Sequence, residues 1–151
     1  MLTLDMIMST DLITIGSDDN LAKARELMHD NKIHHLPVVD GDDLVGLVSL
    51  TDVLAATDSI LRQDDSRISA QTIIVRDIMV TDVATVDEHA TLRQAALFLE
   101  KHRIGCLPVM SDSKLKGIIT DTDFVAVAIK LLEQLEEEDF DEFEEEFEEA
   151  G

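Results

Sequence analysis

The sequence predicts an α/β (α+β) fold made of two tandem β-α-β-β-α repeats with pseudo-twofold symmetry. The first observation is a gapless internal repeat with an offset of 71 positions. Ile7-Met8 falls on Ile78-Met79, Thr10-Asp11 on Thr81-Asp82, Leu36-Pro37-Val38 on Leu107-Pro108-Val109, and Thr51-Asp52 on Thr122-Asp123. The second is that each copy closes an apolar β-type run with hydroxyl residues and Asp, in Gly46–Asp52 and Gly117–Asp123. An apolar run ending in Thr-Asp before a new periodic segment reads as a strand followed by a helix start. The third is unit size. About 60 residues is too long for a solenoid repeat and too short to bury a generous core alone, so the copies form two halves of one domain.

Taken in order, Met1–Met8 is an apolar lead-in expected to pack on the other half. Leu12–Ile15 reads as a short strand. Ser17-Asp18-Asp19-Asn20 is a helix-start cluster, and Leu21, Ala24, Leu27 and Met28 follow at helical spacing. Leu36–Val39 is a strand with Pro37 near its start, where a missing N–H is tolerated. Asp40–Asp43 is a turn and Leu44–Ser49 the next strand, so this region reads as a hairpin. Thr51–Arg62 is the second helix. The second copy repeats the plan with strand Val83–Val86, helix Thr91–Lys101, strand Leu107–Met110, turn Ser111–Lys114, strand Leu115–Thr120 and a final helix from Thr122. The organisation is thus residues 1–62 as repeat 1, 63–71 as a polar linker, 72–132 as repeat 2, and 133–151 as an acidic tail, helical or disordered.

Bulk properties narrow the function. There are no Trp or Tyr and five Phe, so the core is built from Ile, Leu, Val, Met and Ala. The single Cys, Cys106, permits no intrachain disulfide, which fits a reducing, cytoplasmic setting. Met1–Thr10 has neither the basic nor the apolar region of a signal peptide, and no apolar run reaches the ~20 residues that span a bilayer. Net charge is −21, and 12 of the 33 acids lie in Glu133–Glu149. Met1–Leu132 keeps 21 acids against 12 bases, or −9. Such a surface repels nucleic acid and anionic membranes, so neither is expected as a partner.

The two helix starts carry the candidate chemistry. A first helical turn offers unpaired N–H groups and a partial positive charge suited to phosphate. Ser49, Thr51, Thr120 and Thr122 add hydroxyls. Asp52 and Asp123 can accept two hydrogen bonds from a diol such as ribose. The plainer alternative is that Thr51/Asp52 and Thr122/Asp123 only cap their helices. His29, His34, His35, His89 and His102 show no metal-ligand spacing. Cys106, between Gly105 and Leu107, reads as a small core residue with no readable His-Asp partner for nucleophilic catalysis.

The chain resembles a tandem pair of CBS domains, the regulatory module named after cystathionine β-synthase. The residues that carry the resemblance are Ile7-Met8-Ser9, Ile33–Asp40 and Gly46–Asp52 in the first half. In the second they are Asp77-Ile78-Met79, Arg103–Val109 and Gly117–Asp123. The resemblance covers roughly Leu4–Ile129 and implies two sheets packed side by side, with two such pairs commonly joined in a flat dimeric disk. It implies clefts between the halves that bind an adenosine-containing ligand: AMP, ADP, ATP or S-adenosylmethionine. Asp52 and Asp123 would then accept from ribose hydroxyls, and Ser49, Thr51, Thr120 and Thr122 would hold ribose or phosphate. Backbone around Ile13 and Ala84, and the strands entered at Ile33 and Ile104 with Pro37 and Pro108, would read the adenine. His34 or His35 would face ligand phosphates. In the second half Gly105 and Cys106 replace those bases, so a phosphate there needs Lys101, His102, Arg103 or a base from the first half. Asp121, where the first half has Leu50, brings an acid beside the phosphate position, so the two sites are expected to be unequal.

The resulting expectation is a stand-alone, homodimeric sensor that binds an adenine nucleotide or related molecule and modulates a partner. It is not expected to be an enzyme or to need a cofactor. The alternative is a structural dimer or adaptor with non-functional clefts, in which the tail binds a protein partner through Phe140, Phe143 and Phe147.

Overall fold

The computed structural model describes residues 3–62 and 69–150, with side chains described as far as residue 139. A short helix α1 (Leu4–Ile7) opens the chain. It is followed by α2 (Leu21–Asn31), the hairpin β1 (His35–Asp40) and β2 (Asp43–Ser49), and α3 (Leu50–Leu61). After a single 3-10 turn at Val75–Asp77, the second half has β3 (Val86–Asp87), α4 (Leu92–His102), β4 (Cys106–Ser111), β5 (Lys114–Thr120) and α5 (Asp121–Ala150). One sheet is β1-β2 and the other β3-β4-β5, and β2 and β5 touch where the two sheets adjoin.

The helices start where local chemistry allows. Asn20 caps α2 by accepting the Lys23 N–H, and Thr91 forms a capping box with Gln94 at the start of α4. Lys32 and Arg103 end α2 and α4 in the left-handed region, at φ 54° and 51°. In the second hairpin Asp112 and Ser113 also take positive φ, the conformation a tight hairpin turn demands.

Each core takes a piece of the opposite half. Leu21, Met28, Leu36, Val38, Val48 and Val53 pack with Val75 of the second half, while most of the expected linker 63–71 lies outside the described residues. Leu99, Leu107, Val109 and Ile119 pack with Leu4 and Met8 from the N-terminal segment, as expected for Met1–Met8 at those two positions, whereas Met6 is exposed and residues 1–2 lie outside the described residues. Leu4, Leu21, Leu36, Leu107 and Ile119 are wholly buried, each contributing about 1.5–3 kcal/mol. Polar ties reinforce the exchange: Arg76 donates to Ser17 Oγ at 3.3 Å, and Lys116 Nζ lies 2.6 Å from Glu88 and 3.6 Å from Asp5 of α1.

This exchange explains where the sequence reading goes wrong. Leu12–Ile15 is not a strand: only Ile15 pairs, with Val38. Ser9 pairs with Ile118 of the other half, so within a few residues the chain leaves one sheet for the other and ladders with neither. The Val83–Val86 strand is reduced for the same reason to Val86–Asp87, because Val80 pairs with Leu47 across the halves. The final helix begins at Asp121 rather than Thr122 and continues past Gln134 to Ala150. Along it Val125, Ile129, Leu132 and Leu135 are each more than half exposed, whereas the side chains of Phe140, Phe143 and Phe147 lie outside the described residues.

Candidate functional site

The antiparallel register sets His35 opposite Ser49 and Cys106 opposite Thr120. The start of β1 and the start of α3 are therefore neighbours, as are the start of β4 and the start of α5. Ser49, not Thr51, is the N-cap of α3. Its hydroxyl accepts the Asp52 N–H at 3.1 Å, and Asp52 Oδ2 accepts the Ser49 N–H at 2.9 Å. Thr120 and Asp123 repeat the arrangement, with Asp123 Oδ2 accepting the Thr120 N–H at 2.8 Å. Capping and ligand binding are thus not exclusive here, since each cap occupies Oδ2 and leaves Oδ1 to meet another donor.

Two clefts related by the repeat lie between the halves. The first has a volume of about 370 Å³ and brings Ile13, Ile33, His34, His35 and Pro37 of the first half to Thr120, Thr122 and Asp123 of the second. The second, about 230 Å³, brings Ala84 and Ile104 of the second half to Ser49 and Asp52 of the first. Each cleft therefore joins the turn of one half to the helix start of the other. Thr51, Arg103 and Pro108 line neither cleft. Thr51 and Arg103 are exposed, and Pro108 is sealed within β4.

Several lining residues escaped the sequence reading. Lys32, brought round by its left-handed backbone, lines the first cleft, and Asp11 and Asp82 line the first and second respectively. Asp11 and Asp82 had a signal, because they coincide in the internal repeat. Asp121 lies in the first cleft with His34 and His35, so the acid and the bases share one site. Of the bases considered for the second half, Lys101, His102 and Arg103 are absent from its cleft. Among the described residues the base there is His35, which lines both clefts.

His35 is half-buried, and burial is the main cause that lowers its pKa below the ordinary 6.5; the Asp121 and Asp52 carboxylates pull the other way. Cys106 is buried, and burial, with the Asp121 and Asp123 charges behind it, pushes its thiol up to about 12. At neutral pH it is a protonated wall atom rather than a nucleophile. Among the described residues, no three His, Cys, Asp or Glu side chains are arranged to hold a metal ion, and no helix is long and apolar enough to cross a membrane. A wider groove of about 720 Å³ runs between α2 and α3, past Arg25, His29 and Leu54; it reaches Leu50 at the start of α3 and shares Lys32, Ile33 and His34 with the first cleft.

Comparison with known proteins gives a consistent result. The sequence profile described as CBS domain matches residues 4–59 and 75–130. The chain is 33% identical over 132 residues to a CBS domain-containing protein of Dictyostelium discoideum, covering 84% of this chain and 91% of that one. It is 35% identical over 114 residues to inosine-5'-monophosphate dehydrogenase of Korarchaeum cryptofilum, covering 75% of this chain but only 21% of that enzyme. Among solved structures, a Vibrio cholerae protein assigned to acetoin utilization (AcuB) superposes with a TM-score of 0.75 at 39% identity, over 91% of this chain and 97% of that one. CBSX2 in complex with AMP gives 0.72 at 30% identity, over 87% and 98%. The CBS domain pair of protein MJ0100, in complex with 5'-methylthioadenosine and S-adenosylmethionine, gives 0.72 at 25%, over 83% and 98%.

Proposed function

The chain belongs to the CBS-domain family, and we propose that it is a regulatory module whose two clefts bind an adenosine-containing ligand and transmit occupancy to a partner. The observation that carries this reading is the crossed construction of the clefts. In each, a capped Asp at a helix start stands across from an apolar turn of the opposite half. Asp123 and Asp52 accept from the ribose diol through Oδ1. Ile13 and Ile33 in the first cleft, and Ala84 and Ile104 in the second, hold the adenine. The related structures with bound AMP, 5'-methylthioadenosine and S-adenosylmethionine support the ligand class.

Because each cleft draws on both halves, a ligand binds only one relative arrangement of them well. Such differential affinity is what a switch requires. The module acts as a cytoplasmic homodimer, a reading supported by the exposed Leu54 and Leu61 on α3 and Val125 and Ile129 on α5. The exposed face of α5 also favours the second reading, an adaptor working through its tail. Removing residues 136–151 separates the two, since it abolishes partner binding only for the adaptor. The direct test is thermal unfolding of the ligand-stripped protein with adenosine compounds. A ligand at ~100 times its Kd stabilises by about 2.7 kcal/mol. That stabilisation disappears in the Asp52→Asn, Asp123→Asn double variant, and its persistence there contradicts the assignment.

A further inference from the structure

Position 121 makes the chemistry of the first cleft differ from that of an ordinary phosphate site. Asp121 Oδ1 accepts the Thr122 N–H at 2.8 Å. A Cβ built on Gly105 would lie 3.5 Å from Asp121 Oδ2 and 3.5 Å from His35 Cε1, so the carboxylate and the imidazole both flank Gly105. The adenine is assigned to Ile13 and Ile33 and the ribose diol to Asp123. The 5' substituent is then left facing the rest of the lining, which includes Lys32, His34, His35, Asp121 and Thr122.

We infer that Asp121 sets the charge of the ligand, so that the first cleft takes an adenosine derivative with a neutral or cationic 5' substituent and rejects 5'-phosphates. This inference rests on the adenosine reading above. The charge balance supports it: the cleft holds the carboxylates Asp11, Asp121 and Asp123 against Lys32 and two imidazoles. Of those, His35 is kept neutral by burial and is already opposed by Asp121. The second cleft has Asp52 and Asp82, with His35 and, among the described residues, no Lys or Arg, so it offers a phosphate no better counter-charge. The whole chain carries −21. A phosphate monoester would add its negative charge a few ångström from the Asp121 carboxylate, a repulsion that costs on the order of tenfold or more in affinity.

The test is calorimetric titration of the ligand-stripped full chain with 5'-methylthioadenosine, S-adenosylmethionine and AMP. It is run on the natural chain, on Asp121→Asn, and on Asp121→Leu, which copies Leu50 of the first half. At least one of the first two compounds is expected to bind about tenfold more tightly than AMP. Both variants should lose that preference, chiefly by gaining AMP affinity. If the variants fail to fold, the natural chain still decides, because raising salt to ~0.5 M should narrow the preference by screening. Equal or tighter binding of AMP, a preference unchanged in folded variants, or a salt-independent preference overturns this inference while leaving the adenosine reading intact. Failure of all three compounds to bind the folded natural chain overturns both.

Discussion

Gly117 lies so close to Met8 that a Cβ added to it would sit 2.7 Å from the methionine sulfur, and the pair Gly46 and Met79 repeats the contact at 2.5 Å. Behind each sulfur stands a backbone carbonyl: Ser9 O at 3.1 Å from the first Cβ position and Val80 O at 3.0 Å from the second. The two glycines therefore admit the crossing segments that lock each half onto the other and form the backs of the clefts.

Gly117→Ala and Gly46→Ala should each destabilise the protein by about 1–3 kcal/mol, since the methionine can shift but the carbonyl cannot without breaking the Ser9–Ile118 or Val80–Leu47 pairing. Urea unfolding midpoints measure this. An unchanged midpoint would show that the crossing segments are loosely held.

Acidification should destabilise the protein through His35. Its folded pKa is depressed below 6.5 by burial, so below that pH the unfolded chain binds the proton more readily than the folded one. The His35 contribution is therefore fully present above about pH 6.5 and is lost as pH falls from there through the folded pKa. His35→Gln should flatten the dependence of the unfolding midpoint on pH in that window. A slope equal to that of the natural chain would remove His35 as its source.

Cys106 should react with a thiol reagent such as dithiobisnitrobenzoate far more slowly in the native protein than in denaturant, because it is 3% exposed and its thiol is held at about 12. Rapid native labelling at pH 7 would show that the second cleft opens to admit reagents.

The helix caps decide how binding variants must be built. Asp52→Ala removes the capping-box acceptor for the Ser49 N–H and should cost about 0.5–1.5 kcal/mol, whereas Asp52→Asn keeps an acceptor and should cost less. Denaturant titration of both variants checks the difference. Equally small losses would mean that the cap contributes little and that Ala variants are sound probes of binding, and equally large ones that Asn does not restore it.

The sequence carried the architecture because the 71-residue repeat imposes the same alternation of hairpin and helix twice. Leu36, Val38, Leu107 and Val109 read as strand residues and are all fully buried. It did not carry the short strands before α2 and α4, whose pairing is divided between two sheets, a long-range condition that no local pattern encodes. The Asp-bearing helix starts were visible, yet which half each Asp serves was not. Asp123 faces Ile13 and Ile33, and Asp52 faces Ala84 and Ile104, only because the halves cross. Thr51 lost its place to Ser49 because the cap forms two residues before Thr51. Lys32 reaches the first cleft through a left-handed turn at a residue type that gives no hint of one.

The measurement that bears most directly on the central claim is isothermal titration calorimetry of the ligand-stripped protein with adenosine compounds, on the natural chain and on the single variants Asp52→Asn and Asp123→Asn. The account predicts saturable binding to the natural chain, with Asp123→Asn losing the first cleft and Asp52→Asn the second. Absence of heat with every compound in a protein confirmed folded, or binding that survives both substitutions unchanged, would contradict it.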